Sequence, residues 1–170
     1  QGQGFIAGPI FDRQLGLLNL EDERELTIAK QLIGSIDEDG YIRRDLISVI
    51  DDLLFAQNIE TDIPELKRTL RLIQTFDPKG VGAKDLRECL LLQLQEHRDL
   101  DPFDTYLDEE QMACHHAYRI IHEYFEEFSK KHYHKLQRHL GVNEAQLKEA
   151  VEVILKLNPK PASGFIGDKN

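Results

Sequence analysis

A short loop at residues 77–82 combines glycines with a lysine, the residue types from which phosphate-binding loops are made. In the Walker pattern four residues separate the two glycines, the second is followed by Lys and then Ser or Thr, and a strand precedes the loop. Here a single residue separates Gly80 from Gly82, a helical pattern precedes them, and no Ser or Thr follows Lys84. We therefore interpret the loop as a rigid connection between two helices.

A second cluster, at residues 37–40, brings three carboxylates together with a glycine, which is the composition of a calcium-binding loop. The EF-hand places ligands at positions 1, 3, 5 and 12 and a glycine at position 6. Counted from Asp37, the glycine falls at position 4 and Ser48 at position 12, so the spacing does not fit. The better interpretation is a tight turn stabilised by Asp side chains, with Tyr41 and Ile42 anchoring it to a core.

Histidines are frequent between residues 115 and 139, but no two are spaced four apart as in helical zinc sites. We find no nucleophile elbow, metal-ligand set or nucleotide loop in its required context. The sequence therefore predicts a protein that is not an enzyme, binds no metal or cofactor and takes no small-molecule substrate. Cys89 and Cys114 lie on apolar helix stripes, so we expect buried free thiols in a reduced compartment, which indicates the cytoplasm.

Helices position all of these residues. Apolar side chains recur three or four residues apart over successive stretches, which is the helical period. The stretches are residues 21–35, 44–57, 62–75, 83–94, 107–128, 130–140 and 143–157. Asp62 with Glu65, and Asn143 with Gln146, have the spacing of capping boxes, and Ser129 is expected to cap the helix that follows it.

Two subdomains are expected, because the charged stretch at residues 96–104 contains a proline and has no apolar period. We predict an all-α fold with a four-helix bundle at residues 15–98 and a three-helix bundle at residues 99–160, since amphipathic helices bury their stripes by bundling. Residues 1–14 are polar, glycine-rich and patternless, and are expected to be a disordered leader. Residues 161–170 are expected to be a linker.

The formal charge of −10 is unevenly distributed along the chain. Residues 1–128 hold 13 Lys/Arg and 27 Asp/Glu, a net charge of −14, whereas residues 129–170 hold 8 and 4, a net charge of +4. The acidic part repels nucleic acid, whose binding depends on neutralised phosphates, and suits a basic protein surface. No apolar run reaches the ~18–20 residues of a membrane span, and no secretory signal is visible, so no membrane partner is expected.

The basic third of the chain offers an alternative function. Residues 136–151 read as helix, glycine turn and helix, the outline of a DNA-binding helix-turn-helix, with Lys135 and Arg138 closest to DNA. The second helix carries Glu149 and Glu152, whereas a recognition helix needs hydrogen-bond donors, and structural helical hairpins are common. A DNA-binding regulator therefore stays open, as does a helical scaffold for an unrelated protein partner.

Three stretches, in this order, resemble the core-binding region of the sigma-54 bacterial transcription initiation factors. They are IAKQLIGSIDEDGYI at residues 28–42, IQTFDPKGVGAKDLRECLLLQL at residues 73–94 and LKLNPKPASG at residues 155–164. Lys79 and Lys84 stand where the family pattern has Pro and Arg. The resemblance extends over most of the chain, from about residue 15 to residue 164.

This resemblance implies a transcription initiation factor fragment that docks on the subunits of core RNA polymerase, for initiation that depends on an ATP-using activator. In a full-length factor, promoter DNA and that activator are further partners. Neither the glutamine-rich N-terminal segment that meets the activator nor the C-terminal promoter-reading motif is seen here. Residues 161–170 are therefore expected to lead to a C-terminal DNA-binding region.

Two loops of unusual composition form the expected polymerase-binding surface, since loops carry function more often than helix faces do. The candidate residues are Asp37, Glu38, Asp39, Gly40, Tyr41, Phe76, Asp77, Pro78, Lys79, Gly80, Val81 and Gly82. The alternative interpretation is that these loops only fix the angles between helices.

Overall fold

Helices make up the secondary structure of the computed structural model, which describes residues 8–98, 100–101, 103–104 and 106–163. They are α1 (Gly8–Leu17), α2 (Glu23–Gly34), α3 (Leu46–Gln57), α4 (Ile63–Ile73), α5 (Leu86–Leu94), α6 (Glu109–Glu123), α7 (Phe125–Ser129), α8 (Tyr133–Leu140) and α9 (Glu144–Leu155). A 3-10 turn, Gln95–His97, follows α5. Within the described residues no strand is found, only an isolated bridge between Tyr41 and Ala83, so the predicted all-α fold is confirmed.

The chain divides into two units, and the division falls inside α5. The first unit ends at Cys89 and also includes the chain from Lys160 onward, while the second is Leu90–Pro159. This differs from the predicted boundary between residues 98 and 99. The charged stretch that suggested the boundary lies within the second unit, where Gln95–His97 packs on α6. The predicted boundary was wrong because the end of α5 buries its leucines in the second core.

The core of the first unit is formed by α1 to α4 and the two loops that follow α2 and α4. Its buried side chains are Phe11, Leu15, Ile28, Ala29, Leu32, Ile33, Ile36, Ile42, Val49, Leu53, Leu66, Ile73, Phe76 and Val81. They recur four residues apart on α1, α2 and α3 and seven residues apart on α4, which places those of each helix on one face. Aspartates N-terminal to α2, α3 and α4 accept backbone N–H bonds from the first helical turn and so fix where each helix begins.

Helix α1 overturns the expectation that residues 1–14 are a disordered leader. Residues 8–14 are helical, and Phe11 is fully buried with its ring stacked on that of Phe76 at a centroid distance of 6.4 Å. Pro9 is compatible with the first turn of a helix, where its missing N–H costs no bond. Only two residues of α1, Phe11 and Leu15, are buried, which is too few to produce a visible helical period. The sequence pattern therefore did not predict this helix. Residues 1–7 lie outside the described residues.

An ion pair joins α2 to the start of α4. The Arg24 guanidinium donates to the Glu65 carboxylate, which also accepts from the Thr61 hydroxyl at 2.5 Å. These two hydrogen bonds, the first from Arg24, hold the pKa of Glu65 below its usual range. The predicted capping box at Asp62 is therefore half formed: Asp62 accepts from the Glu65 N–H at 3.0 Å, but the Glu65 side chain is directed to α2.

The second unit buries residues of α5, α6, α8 and α9. They are Leu90, Leu94, Ala117, Ile120, Ile121, Leu136, Leu140, Leu147, Ala150 and Ile154. The predicted capping box of Asn143 and Gln146 is confirmed, since each side chain bonds the other residue's backbone N–H. Among the described helices, none combines the length and the apolar composition of a membrane span.

The helix predicted for residues 107–128 is interrupted. Tyr124 has φ −131° and ψ 34°, which are not helical angles, and it separates α6 from α7. Its ring stacks on that of His139 at 4.7 Å, so a contact with α8 accompanies the break. The prediction that Ser129 caps the next helix is wrong, because Ser129 ends α7 and His132 precedes α8 without a side-chain cap bond.

The two cysteines differ in their exposure to solvent, whereas His115 and His116 of α6 are equally buried. Cys89 is buried and Cys114 is only partly buried, and the two do not form a disulfide bond with each other. Burial, followed by the charge of Glu110, raises the pKa of the Cys114 thiol. His115 and His116 are both 7% exposed. Burial, followed by the neighbouring His115 and Arg119, lowers the pKa of His116.

Protonation of His116 is predicted to destabilise the second unit. Its pKa in the folded protein lies below the unfolded value of 6.5, so the unfolded chain binds this proton more tightly. The stability contributed by the neutral ring is present above the unfolded pKa and is lost as the pH falls through the folded pKa. We expect α6 amide protection against hydrogen exchange to decrease between pH 7.5 and pH 5.5, and to decrease less in His116→Gln.

His134→Gln is the matched control, because His134 is exposed on α8 and its removal should leave the wild-type pH dependence unchanged. An identical loss of protection in wild type and His116→Gln would contradict the assignment of this effect to His116.

Candidate protein-interaction site

The turn at residues 37–41 is built around one carboxylate. Oδ1 of Asp37 accepts the backbone N–H groups of Asp39 at 2.9 Å, Gly40 at 3.0 Å and Tyr41 at 2.9 Å. The backbone N–H of Asp37 donates to the carbonyl of Tyr41 at 2.8 Å, which closes the turn. The interpretation of this cluster as an Asp-stabilised turn is confirmed.

The two candidate loops lie side by side. The N–H of Gly82 donates to the carbonyl of Gly40 at 2.8 Å, and the N–H of Ile42 donates to the carbonyl of Ala83 at 2.9 Å. These bonds form the parallel bridge between Tyr41 and Ala83. The turn after α2 and the loop after α4 therefore form one rigid substructure, although about forty residues separate them in sequence.

A third segment closes on the same substructure. The N–H of Ala162 donates to the carbonyl of Asp39 at 3.2 Å, and Ala162 is fully buried. The prediction that residues 161–170 form a linker is therefore wrong for its first residues. They pack on Gly40, and the hydrogen bond from Ala162 to Asp39 holds them there. Residues 164–170 lie outside the described residues. Parts of all three stretches that carry the family resemblance thus meet in the first unit.

Charges around the turn are largely paired with each other. The Arg43 guanidinium binds the Asp37 carboxylate, lies 3.6 Å from Oδ2 of Asp39, and stands 4.4 Å from the centroid of the Tyr41 ring. Tyr41 is only 4% exposed, and burial, followed by the Cys89 thiol, raises its pKa well above the usual range. Asp37 and Asp39 therefore act mainly within the turn, and Tyr41 stays neutral.

The predicted site residues divide by exposure. Gly40, Tyr41, Phe76, Gly80, Val81 and Gly82 are buried, Asp37, Asp39 and Pro78 are half-buried, and Glu38, Asp77 and Lys79 are exposed. The buried residues fix the backbone, as the alternative interpretation of these loops required. Direct contact of the exposed residues with a partner stays a prediction.

The motif at residues 136–151 forms two helices, α8 and α9, joined by a turn at Gly141, whose φ is +69°. Lys135 and Arg138 are exposed on α8. The surface of α9 is mixed in charge, with exposed glutamates at 144, 149 and 152 beside lysines 148 and 156. Helix α9, which has the position of a recognition helix, is therefore not uniformly basic. Binding of DNA by this motif stays a prediction.

Sequence reasoning missed a groove of about 820 Å³ in the first unit. It is lined by residues 42–47 at the start of α3, by the outer side of α4, and by residues 82–88 leading into α5. We call it the cationic groove, because its lining includes five Lys or Arg and three Asp or Glu residues. One sequence feature could have indicated this groove: Lys67 and Arg71 lie four residues apart on α4, in an otherwise acidic region.

Comparison with known proteins gives consistent matches. A family model described as sigma-54 factor, core binding domain, matches residues 10–170. Proteins named RNA polymerase sigma-54 factor are similar to this chain: that of Acidithiobacillus ferridurans is 38% identical over 82% of the chain, that of Azotobacter vinelandii 35% over 88%, and that of Escherichia coli K12 33% over 84%. The chain spans about a quarter of the length of these relatives, 26% or 27% in each case.

Substitution of Gly40 is predicted to destabilise the first unit. Its φ is +103°, and a Cβ atom there would stand 2.9 Å from Cγ of Pro161 and 3.1 Å from the backbone nitrogen of Ala162. Gly40→Ala should lower the free energy of unfolding by roughly 1–3 kcal/mol, as measured by urea unfolding.

Gly34→Ala is the matched control. Gly34 ends α2, and no atom lies within 4 Å of a Cβ built there. It should change stability by no more than about 1 kcal/mol, in the stabilising direction. Equal stability of Gly40→Ala and wild type would show that the segment from Pro161 does not constrain the turn.

Proposed function

The chain belongs to the sigma-54 factor core-binding domain family, and on this premise we propose that it is the module with which such a factor docks on core RNA polymerase. The observation that carries the proposal is the extent of the family match, residues 10–170, which includes both units. Because the chain spans about a quarter of its relatives, activator-dependent initiation and promoter recognition are proposed only for a full-length factor. The cytoplasm, where polymerase works, is the proposed location.

A binding role without catalysis is consistent with how the carboxylates of the site are used. Asp37, the most central of them, accepts three backbone N–H bonds through Oδ1 and an Arg43 bond through Oδ2. A carboxylate engaged in this way has a structural role and is a poor general base. We propose that catalysis belongs to the polymerase and to an ATP-using activator, while this chain supplies a shaped surface and needs no cofactor.

For the contact surface we propose the exposed side chains of the paired loops, Glu38, Asp77 and Lys79. Their backbone is held in place: the N–H of Asp77 donates to the Gln14 side chain at 2.8 Å, and the turn that contains Glu38 is closed by the bond from the Asp37 N–H to the Tyr41 carbonyl. A surface that is rigid before binding loses little conformational entropy when it binds. Two of the three residues are acidic, which suits a basic patch on the partner.

The docking role is tested by measuring binding of the 170-residue chain to bacterial core RNA polymerase at two salt concentrations, with duplex DNA as a parallel ligand. We expect polymerase binding and negligible DNA binding. DNA binding that falls steeply with salt, without polymerase binding, would instead favour the α8–α9 helix-turn-helix and its Lys135 and Arg138. Binding to neither would favour a helical scaffold with an unrelated partner.

Charge reversal at Glu38 is predicted to weaken polymerase binding without affecting the fold. Glu38 is exposed and can be replaced alone, whereas replacing Asp37 would remove a side-chain acceptor shared by three backbone N–H groups. Glu38→Lys should weaken binding by roughly tenfold, through lost attraction and added repulsion, with an unchanged circular dichroism spectrum.

The control is Asp51→Lys, which makes the same change of charge at an exposed position on α3. It should bind polymerase like the wild type. Equal affinities of Glu38→Lys and Asp51→Lys would remove the turn from the interface and leave it a purely structural role.

A further inference from the structure

Helix α1 is joined to the loop after α4 by the side chain of Gln14. The Gln14 carboxamide nitrogen donates to the carbonyl of Asp77 at 2.8 Å, and the carboxamide oxygen accepts the N–H of Asp77, also at 2.8 Å. One side chain thus bonds both backbone groups of a residue that lies 63 positions later in the chain. Among the described residues, the Asp77 backbone has no other hydrogen-bond partner.

Local hydrogen bonds hold the start of this loop only weakly. Pro78 has no N–H to donate, and its carbonyl accepts the N–H of Val81 at 3.4 Å, which is long for such a bond. The end of the loop is secured separately, because the N–H of Gly82 donates to the carbonyl of Gly40 at 2.8 Å. The position of Asp77 therefore depends on the two bonds from α1.

Helix α1 is a fixed support for the Gln14 side chain. Phe11 and Leu15 lie three residues before and one residue after Gln14, they are 0% and 2% exposed, and α1 packs on α2. The Phe11 ring also stacks on that of Phe76, the residue before Asp77. Gln14 is itself half-buried, which restricts the orientations that its carboxamide can adopt. The hydrophobic core of the first unit thereby sets the position of the Asp77 backbone.

We propose that Gln14 is a positioning residue for the docking of this chain on core RNA polymerase. The inference rests on the docking role proposed above, in which the exposed side chains of Asp77 and Lys79 belong to the contact surface. Gln14 acts through the Asp77 backbone and not by touching the partner: it holds the loop in one position before binding, so that less conformational entropy is lost on binding. Because Asp77 is exposed, water can replace the carboxamide in a variant, and the fold itself loses little stability.

The second unit contains the same kind of arrangement, which provides a matched control. The Gln93 carboxamide nitrogen donates to the carbonyl of Asn158 at 2.7 Å, and the N–H of Asn158 donates to the Gln93 carboxamide oxygen at 2.9 Å. Both residues lie within Leu90–Pro159, and neither belongs to the paired loops. Replacing either glutamine removes the same two kinds of bond, but only Gln14 supports a residue of the proposed contact surface.

The test measures the binding of variants of the whole chain to core RNA polymerase. Gln14→Met and Gln93→Met keep the length of the side chain and a good helix former, but remove both hydrogen bonds. We expect Gln14→Met to bind roughly three- to tenfold more weakly than the wild type and Gln93→Met to bind within about twofold of it. If Gln14→Met loses helical circular dichroism, Gln14→Ala removes the same bonds without the longer side chain and should give the same weakening.

A double-mutant cycle separates positioning from a general structural effect. Gln14→Met, added to a form with Asp77→Ala and Lys79→Ala, should change its affinity by less than about twofold, because the side chains that Gln14 positions are no longer there. An undiminished further loss would overturn the inference, since a merely structural role weakens binding in either background. Amide hydrogen exchange is the second readout: the N–H of Asp77 should exchange faster in Gln14→Met and at the wild-type rate in Gln93→Met. An unchanged rate in Gln14→Met would also overturn it.

Failure of the positioning role and failure of the docking role give different results. A wild-type chain that does not bind polymerase overturns the docking role and the positioning role with it. If the wild type binds and the form with Asp77→Ala and Lys79→Ala binds equally well, the loop is removed from the contact surface and Gln14 has nothing to position. If that form binds more weakly while Gln14→Met binds like the wild type, only the role of Gln14 is overturned.

Discussion

The Asp37 carboxylate is the constraint on which the first unit depends. A tight turn leaves successive N–H groups without partners, and buried N–H groups must be bonded. Oδ1 of Asp37 satisfies three of them at once, and this leaves the carbonyls of Asp39 and Gly40 directed outward. Those two carbonyls then accept from Ala162 and Gly82. One side chain thereby connects the turn to both of the segments that pack against it.

Close backbone approach explains the composition of this substructure. Gly40 and Gly82 have positive φ angles and lie where another segment passes within a few ångströms, so a side chain there would be strained or displaced. A loop made in this way is rigid but has few side chains that reach the solvent. The side chains available for contact with a partner are therefore exposed ones such as that of Glu38, while the glycines fix the position of those residues.

Electrostatics separates two kinds of surface in a chain of net charge −10. Most carboxylates near the site have structural partners, as Glu65 has in Arg24 and Asp37 has in Arg43. In the groove, Lys67, Arg71 and Lys84 form no ion pair with a described residue, and the nearby carboxylates accept backbone N–H bonds and keep their negative charge. Charge counted along the sequence predicts an acidic protein, whereas the lining of the groove holds five basic and three acidic residues.

The sequence by itself determined the features that depend on residues close together in the chain. The helical period gave α2, α3, α4 and α9, the Asn143 capping box gave a helix start, and the spacing of Asp37 and Gly40 gave a turn. Tertiary structure alone decided the rest: α1, held by Phe11 against Phe76, the division inside α5, the pairing of the two loops, and the groove. The physical reason is that each of these depends on contacts between residues distant in sequence, which local propensity and periodicity do not encode.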